Sequence, residues 1–253
     1  MLRGKIAIVT GASSGIGQAI ADIYSKNGAD VVLAARSIDI SKSIAKRLRR
    51  RDHTDPVALE IDVEKEGDPH LLLKETIKRY GKVDILTNVA GFPMKDALWN
   101  KAFHSVSNEE LLNVLNVDLL GAFSCCKAAI PHMKARRSGV IICISSTPAI
   151  AGYDRGAPYT IAKAGILGMV KHIAYEYGQF NIRAYALALG NIKTPKTFDH
   201  LTKEQKLKLT NEAPLRRWGS PEEVAGTALI LASEHASFVT GQTIVVDGGT
   251  VMR

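Results

Sequence analysis

Residues 158–164 read PYTIAKA, which sets Tyr159 and Lys163 four apart. On a helix that spacing stacks both side chains on one face. A phenol beside an ammonium could exchange a proton with a substrate oxygen, since a nearby cation favours the phenolate. Alternatively, the tyrosine packs its ring and the lysine is only a neighbour. A second stretch, TGASSGIG at 10–17, has the glycine spacing of a loop that accepts phosphate. Gly11 permits a tight turn, Gly15 lets the backbone approach a pyrophosphate, and Gly17 brings helix and sheet close together. Amides at the helix start, around Ile16, would then meet the anion, and Ser13 or Ser14 could add a hydroxyl. Such glycines can also be turn residues. No GK[ST] follows, so the stretch is not a kinase or ATPase loop.

Further residues fit a nucleotide lying beyond that loop. The second strand-like run ends AARS. An adenosine ribose with free hydroxyls favours Asp or Glu at this point, whereas a 2′-phosphate favours a cation. Ala35 removes the carboxylate and Arg36 supplies the cation, which points to NADP(H) over NAD(H). In EIDVE, Asp62 could meet the adenine amino group and Val63 its flat face. In TNVAG, the residues Asn88, Ala90 and Gly91 leave space for a nucleotide.

The elements that must position these residues are legible as an alternation. Strand-like runs cover 5–10, 30–35, 56–61, 83–89, 139–145, 182–189 and 242–247, and helical patterns cover about 15–27, 39–50, 68–79, 108–130, 158–177 and 221–232. Several strands are apolar nearly throughout, as expected when helices cover both faces of a parallel sheet. The 253 residues contain no Pro/Gly/Ser-rich linker and no repeat, so a single nucleotide-binding domain over 1–253 is expected. The longest departures from the rhythm, 91–105 and 190–219, follow strand ends and are candidate substrate loops.

Composition excludes other classes. The net charge is +8, densest in KSIAKRLRRR at 42–51. With Ile44 and Leu48 packing inward, that run reads as the solvated face of an amphipathic helix, and no specific nucleic-acid role is expected. No apolar run approaches 18 residues and the first strand starts at once, so a cytoplasmic protein with no membrane segment is expected. Cys125, Cys126 and Cys143 form no CxxC, and the 7 histidines are scattered; structural thiols and no metal site are expected.

Taken together, the chain resembles the short-chain dehydrogenase/reductase family over essentially all of its length. The likeness rests, in order, on TGASSGIG, the Asp-Val at 62–63, NVAG at 88–91 with Val89 in place of a second Asn, and Asn116 in LNVDLLGAF. It continues through Ser146 in CISS, YTIAK at 159–163, and VTGQTIVVDGG at 239–249. The resemblance implies a doubly wound Rossmann fold with a seven-stranded parallel sheet flanked by helices. It also implies a homotetramer or dimer, and hydride exchange between a nicotinamide nucleotide and a carbonyl/alcohol pair. By the same resemblance Tyr159 exchanges the proton, Lys163 binds the nicotinamide ribose and eases formation of the phenolate, Ser146 hydrogen-bonds the substrate oxygen, and Asn116 holds a water. Gly190, Ile192 and Thr194 resemble the residues near the nicotinamide amide and diphosphate. Two departures stand out: Leu189 where the family commonly has proline, and Tyr185 where many relatives have Asn.

The general look is nearest to 3-oxoacyl-[acyl-carrier-protein] reductases, so a small-molecule or carrier-linked carbonyl substrate is expected, with Arg136, Arg137, Arg216 and Arg217 as contributors to a carrier surface. Met94, Trp99, Pro148, Tyr153 and Phe198, together with Asn191, form a mainly apolar substrate set. That set favours a keto group on a carbon chain or ring. A sugar, polyol or cyclic-alcohol dehydrogenase is the alternative of the same family, and a non-catalytic nucleotide sensor the alternative of another class.

Overall fold

The computed structural model of the chain describes residues 1–252. Its first half runs β1 (Ile6–Thr10), α1 (Gly15–Lys26), β2 (Asp30–Ala35), α2 (Ile38–Asp52), β3 (Val57–Glu60), α3 (Asp68–Tyr80), β4 (Ile85–Asn88), α4 (Asp96–Trp99), α5 (Asn108–Leu115) and α6 (Gly121–Arg136). The second half runs β5 (Gly139–Ser146), α7 (Pro148–Ala151), α8 (Ala157–Tyr177), β6 (Ile182–Leu189), α9 (Pro195–Phe198), α10 (Lys203–Glu212), α11 (Pro221–Ala232) and β7 (Thr243–Val246). The seven strands form one sheet in the order β3-β2-β1-β4-β5-β6-β7, every pair parallel. This is the doubly wound Rossmann arrangement.

Burial explains the apolar strands. Successive side chains point to opposite faces, so Ala7 and Val9 join the core under α1 and α11, while Ile8 joins the core under α3, α6 and α8. All five residues of β1 are buried in consequence. After β3 the chain returns to the centre and pairs β4 with β1 on the side opposite β2, Ala7 facing Ile85. The order therefore reverses between β1 and β4, and a crevice opens at their carboxyl ends. Thr10, at the end of β1, holds that region together: its hydroxyl accepts from the amides of Val89 and Ala90 at 3.1 and 3.2 Å.

The basic run on α2 is organised as its pattern suggests. Ser41, Ile44, Ala45 and Leu48 are buried, and the outward arginines meet carboxylates, Arg47 and Arg51 at Asp22 and Arg49 at Asp55. The helix expected over 108–130 differs. It consists of α5, a π-helical turn at Asn116–Leu120, and α6, and it continues past Pro131 to Arg136. A proline ordinarily ends a helix by clashing with the preceding turn; here buried Ile130 and Met133 hold the last turn on the core. The stretch Asn108–Arg136 holds an 18-residue window apolar enough, by length and composition, to cross a membrane, yet half of that window is buried inside the protein.

Tyr185, fully buried on β6, finds the partners its hydroxyl needs. It donates to the carbonyls of Ala236 and Val239 and accepts from Arg183 Nη1. Arg183 also donates to the carbonyls of Leu231, Ser233 and Ala236 at 3.0, 3.1 and 2.8 Å. These include the end of α11, whose last carbonyls lack helical partners. A guanidinium is suited to this task because its donors are fixed in a planar fork. Cys125, Cys126 and Cys143 are all buried, and burial pushes the Cys125 thiol up to about 12.

Candidate active site

A crevice of about 490 Å³ lies at the carboxyl ends of β1, β2, β4, β5 and β6. The glycine loop forms its floor. Gly11 has φ +67°, and a Cβ there would stand 2.9 Å from the amide of Ala90. A Cβ on Gly17 would collide with the carbonyl of Gly11, so the first turn of α1 can rest on the loop only because both positions lack side chains. The result is a cradle of exposed backbone at a helix start, which fits the diphosphate of a dinucleotide. Ser13, Ser14, Gly15 and Ile16 line the same floor. Ser14 caps α1 by position, but its side chain makes no cap hydrogen bond and stays available to a ligand.

The remaining nucleotide candidates sort by side. Arg36 lines the crevice at the end of β2 and forms no ion pair among the described residues. Asp62 and Val63 line it after β3, and Val63 packs so closely on Gly121 that a Cβ there would lie 2.7 Å from it. Ala90 and Gly91 border it after β4, and Gly190, Ile192 and Thr194 after β6. Asn88 does not line the crevice. It is buried behind it, with Nδ2 3.4 and 3.5 Å from the sulfurs of Cys126 and Cys143. Its Oδ1 is buried without a hydrogen-bond partner. Lining residues that the sequence pattern did not single out are Ser37, Ile40, Lys196 and Thr197.

Ser146 and Tyr159 face this same space. Ser146 closes β5 and donates from Oγ to the carbonyl of Leu189 at 3.1 Å, which orients the hydroxyl across the β5/β6 edge. Leu189 supplies this acceptor through its backbone, so the absent proline removes no reacting group. Tyr159 lies in the first turn of α8, after Gly156 in the left-handed region and Pro158. One helical turn later, Lys163 is buried and its Nζ stands 5.5 Å from the centre of the Tyr159 ring. Pairing on one face of a helix is thus realised.

The partner of Lys163 is Asp118. Its Oδ2 is 3.2 Å from Nζ, with side-chain exposures of 6% and 1% for lysine and aspartate. Nζ also donates to the carbonyl of Ile144 at 3.3 Å, and Asp118 Oδ1 accepts from the amide of Phe92. Asn116 opens the π-helical turn, and the carboxylate two residues on, which the sequence pattern did not single out, reaches the lysine. The turn adds a residue to the helical repeat and rotates Asp118 inward. A signal for it was present: Asp118 is the lone charge in LNVDLLGAF, and a charge in an apolar run needs a buried partner of opposite sign.

The expected substrate residues are only partly brought together. Trp99 sits edge-on to Tyr159 with ring centres 5.7 Å apart, and Tyr153 lies 6.0 Å from Trp99. Trp99 is fixed from below: a Cβ on Gly156 would overlap its ring, and the Gly156 amide donates to its carbonyl. Phe198 and Asn191 are instead spent inside the 190–219 segment. Phe198 packs edge-on to Trp218 at 5.0 Å under the ammonium groups of Lys193 and Lys206. Asn191 donates to Leu209 O and Glu212 Oε2. Met94 and Pro148 are outside the crevice lining. The four arginines expected to greet a carrier also have partners: Arg136 with Asp84, Arg137 with the Gln179 carbonyl, Arg216 with the Asn211 carbonyl, and Arg217 with Glu223. The Arg217 guanidinium and the Ser220 amide hold the Glu223 carboxyl down to about 2.

Comparison with known proteins gives one pattern. A family model described as Enoyl-(Acyl carrier protein) reductase matches residues 11–251. The chain is similar to a 3-oxoacyl-[acyl-carrier-protein] reductase FabG of Thermotoga maritima, 36% identical over 255 residues that cover 99% of each chain. It is also similar to Glucose 1-dehydrogenase 2 of Bacillus subtilis, 35% identical over 99% of this chain and 96% of that one. Among solved structures, one described as a short-chain alcohol dehydrogenase from Sinorhizobium meliloti 1021 superposes with a TM-score of 0.90 at 31% identity, over 98% and 97% of the two chains.

Removing one member of a buried ion pair typically costs about 3–5 kcal/mol, because the other charge is left without compensation. Lys163→Met and Asp118→Leu should each lower stability by about that much in urea unfolding. The double variant should lose well under the sum of the two. Additive losses would show that the two charges are not energetically linked.

Proposed function

The chain belongs to the short-chain dehydrogenase/reductase family, and from that footing we propose that it is an NADP(H)-dependent oxidoreductase acting on a ketone or secondary alcohol. The observation that carries the reading is that Ser146 and Tyr159 share one crevice with the glycine cradle, while Lys163 is held beside the Tyr159 ring. A bound nicotinamide nucleotide supplies the hydride for reduction and takes it up in oxidation. In the reducing direction Tyr159 gives its phenolic proton to the carbonyl oxygen, and the Ser146 hydroxyl, turning from the Leu189 carbonyl, donates to that oxygen as it gains charge. Lys163 holds its ammonium beside the ring that gives up the proton, and solvent returns the proton. In the oxidising direction the same groups act in reverse.

Preference for the phosphorylated cofactor is supported by Ala35 and Arg36. No carboxylate stands at the end of β2 to accept from ribose hydroxyls, and among the described residues the Arg36 guanidinium has no anionic partner. Relatives of nearly equal similarity carry oxoacyl and glucose names, so the substrate argument rests on the walls of the site. Trp99 beside Tyr159, with Tyr153 packed on Trp99, favours a keto group on a carbon chain, such as a 3-oxoacyl thioester. The polar groups a sugar would need are engaged elsewhere: Asn191 with α10, and Arg155 with Asn100 Oδ1. The intramolecular partners of the four arginines favour a small thioester over a docked carrier.

A cytoplasmic homotetramer completes the proposal. Leu112, Leu120 and Phe123 on the α5–α6 stretch and Ile161 on α8 are 53, 49, 49 and 41% exposed. Each is a large apolar side chain that association could cover.

Reduction of an acetoacetyl thioester with NADPH should exceed that of glucose oxidation in kcat/KM. In Tyr159→Phe, which keeps most of the ring's packing, the thioester rate should fall at least ~100-fold with little change in NADPH affinity. Near-wild-type turnover in a folded Tyr159→Phe would mean that the proton comes from elsewhere. The double change Ala35→Asp with Arg36→Leu should move preference toward NAD(H); equal kcat/KM with both cofactors in the unmodified protein would overturn the cofactor assignment. Sedimentation velocity should report four chains per particle, and a monomer at micromolar concentration would rule the assembly out.

A further inference from the structure

We propose that Lys196 is a cofactor-binding residue: the cation that the segment after β6 brings to the diphosphate bridge of the nucleotide. The inference rests on the nicotinamide-nucleotide reading above. Lys196 belongs to α9 and lines the crevice. Among the described residues it has no salt bridge. The neighbouring lysines are different. Lys193 and Lys206 rest their ammonium groups on the Phe198 ring, 4.7 and 4.4 Å from its centre, and neither lines the crevice.

The backbone around Lys196 is fixed against the phosphate cradle. Thr194 caps α9 through a reciprocal pair of hydrogen bonds with Thr197, and Thr197 Oγ1 donates to the Ile192 carbonyl at 2.6 Å. Thr194 lies against the glycine loop: a Cβ on Gly15 would be 3.4 Å from its Cγ2. Lys196 therefore leaves a short, pinned turn that touches the start of α1, where the backbone amides await an anion.

Its position in the sheet says which phosphate it serves. Arg36 follows β2 and Lys196 follows β6, and β1, β4 and β5 lie between them. At a strand spacing of about 4.8 Å, that separates their points of origin by roughly 19 Å. The two cations approach from opposite sides, so they address different parts of an extended dinucleotide. Arg36 meets the adenosine side, and Lys196 meets the bridge above Gly15. A charge at the bridge attracts phosphorylated and unphosphorylated cofactors alike, because both carry the diphosphate.

Calorimetric titration of the purified protein with NADPH and with NADH, without substrate, tests this directly. Lys196→Ala should raise Kd for both nucleotides by the same factor, about 5-fold for one partly exposed charged contact, and Lys196→Arg should stay within about twofold of the unmodified protein. Arg36→Ala should raise Kd for NADPH alone. An unchanged Kd in Lys196→Ala would overturn the proposal. So would a loss confined to NADPH, which would put the lysine at the 2′-phosphate, or a raised KM for the thioester with both nucleotide affinities intact, which would make it a substrate contact. If the unmodified protein bound neither nucleotide, the reading beneath would fall and take this one with it, whereas failure at Lys196 alone leaves the Arg36 result standing.

Discussion

Lys163 and Asp118 face each other at 3.2 Å with almost no access to water. Two opposite charges removed from solvent are tolerated only when each satisfies the other and the remaining donors and acceptors also find partners. Both conditions shape their surroundings. The second oxygen of Asp118 takes the amide of Phe92, and the ammonium takes the carbonyl of Ile144. Through these contacts the pair joins α8, the π-helical turn, the loop after β4 and the end of β5. The Tyr159 ring sits one turn before the lysine on the same helix face, so its place in the crevice follows from where the pair is anchored. The irregular turn at Asn116–Leu120 is part of this arrangement, since it presents the carboxylate to the inside.

Around that anchor the sheet does the positioning. Parallel strands end together, and the reversal of strand order between β1 and β4 leaves a gap that no crossover covers. Backbone fills the floor of the gap because side chains cannot: Gly11 and Gly17 sit where a methyl group would strike neighbouring main chain. Thr10 and Ser146 then use short hydroxyls to tie strand ends to adjacent loops or strands. The floor is therefore stiff, which suits a site that must hold reacting groups within tenths of an ångström.

The segment after β6 is built on another principle. Phe198, Trp218, Lys193 and Lys206 make a small aromatic and cationic cluster of their own. Asn191 anchors α10 to the strand end, and the Ile192 to Gly219 bridge closes the base of the segment. Trp99, by contrast, packs edge-on to Tyr159, with Tyr153 against Trp99.

Much of this was readable from residue order. The seven strands and the six helical patterns set among them follow from apolar periodicity, the glycine loop, Arg36 and the Tyr159–Lys163 pair stand out because local chemistry suits those residue types at those spacings, and Ser146 stands out through the family resemblance. The pattern could not show that α6 continues through Pro131, because the cost of a proline is local and the packing of Ile130 and Met133 that offsets it is not. Nor could it show that Asp118 faces inward, because that depends on one extra residue in a helical turn, stabilised by a lysine 45 positions away in the chain. Phe198 and Asn191 show the same limit: their types suit a substrate wall, but the nearest partners that folding offers them are Trp218 and α10. The sequence by itself determined the kind of sheet, the glycine loop and the Tyr159–Lys163 pair, since each is encoded over a few adjacent residues. Only the tertiary structure decided which buried acid holds the lysine, which lysine reaches the crevice and which aromatics surround Tyr159, because those outcomes depend on contacts between segments distant in sequence.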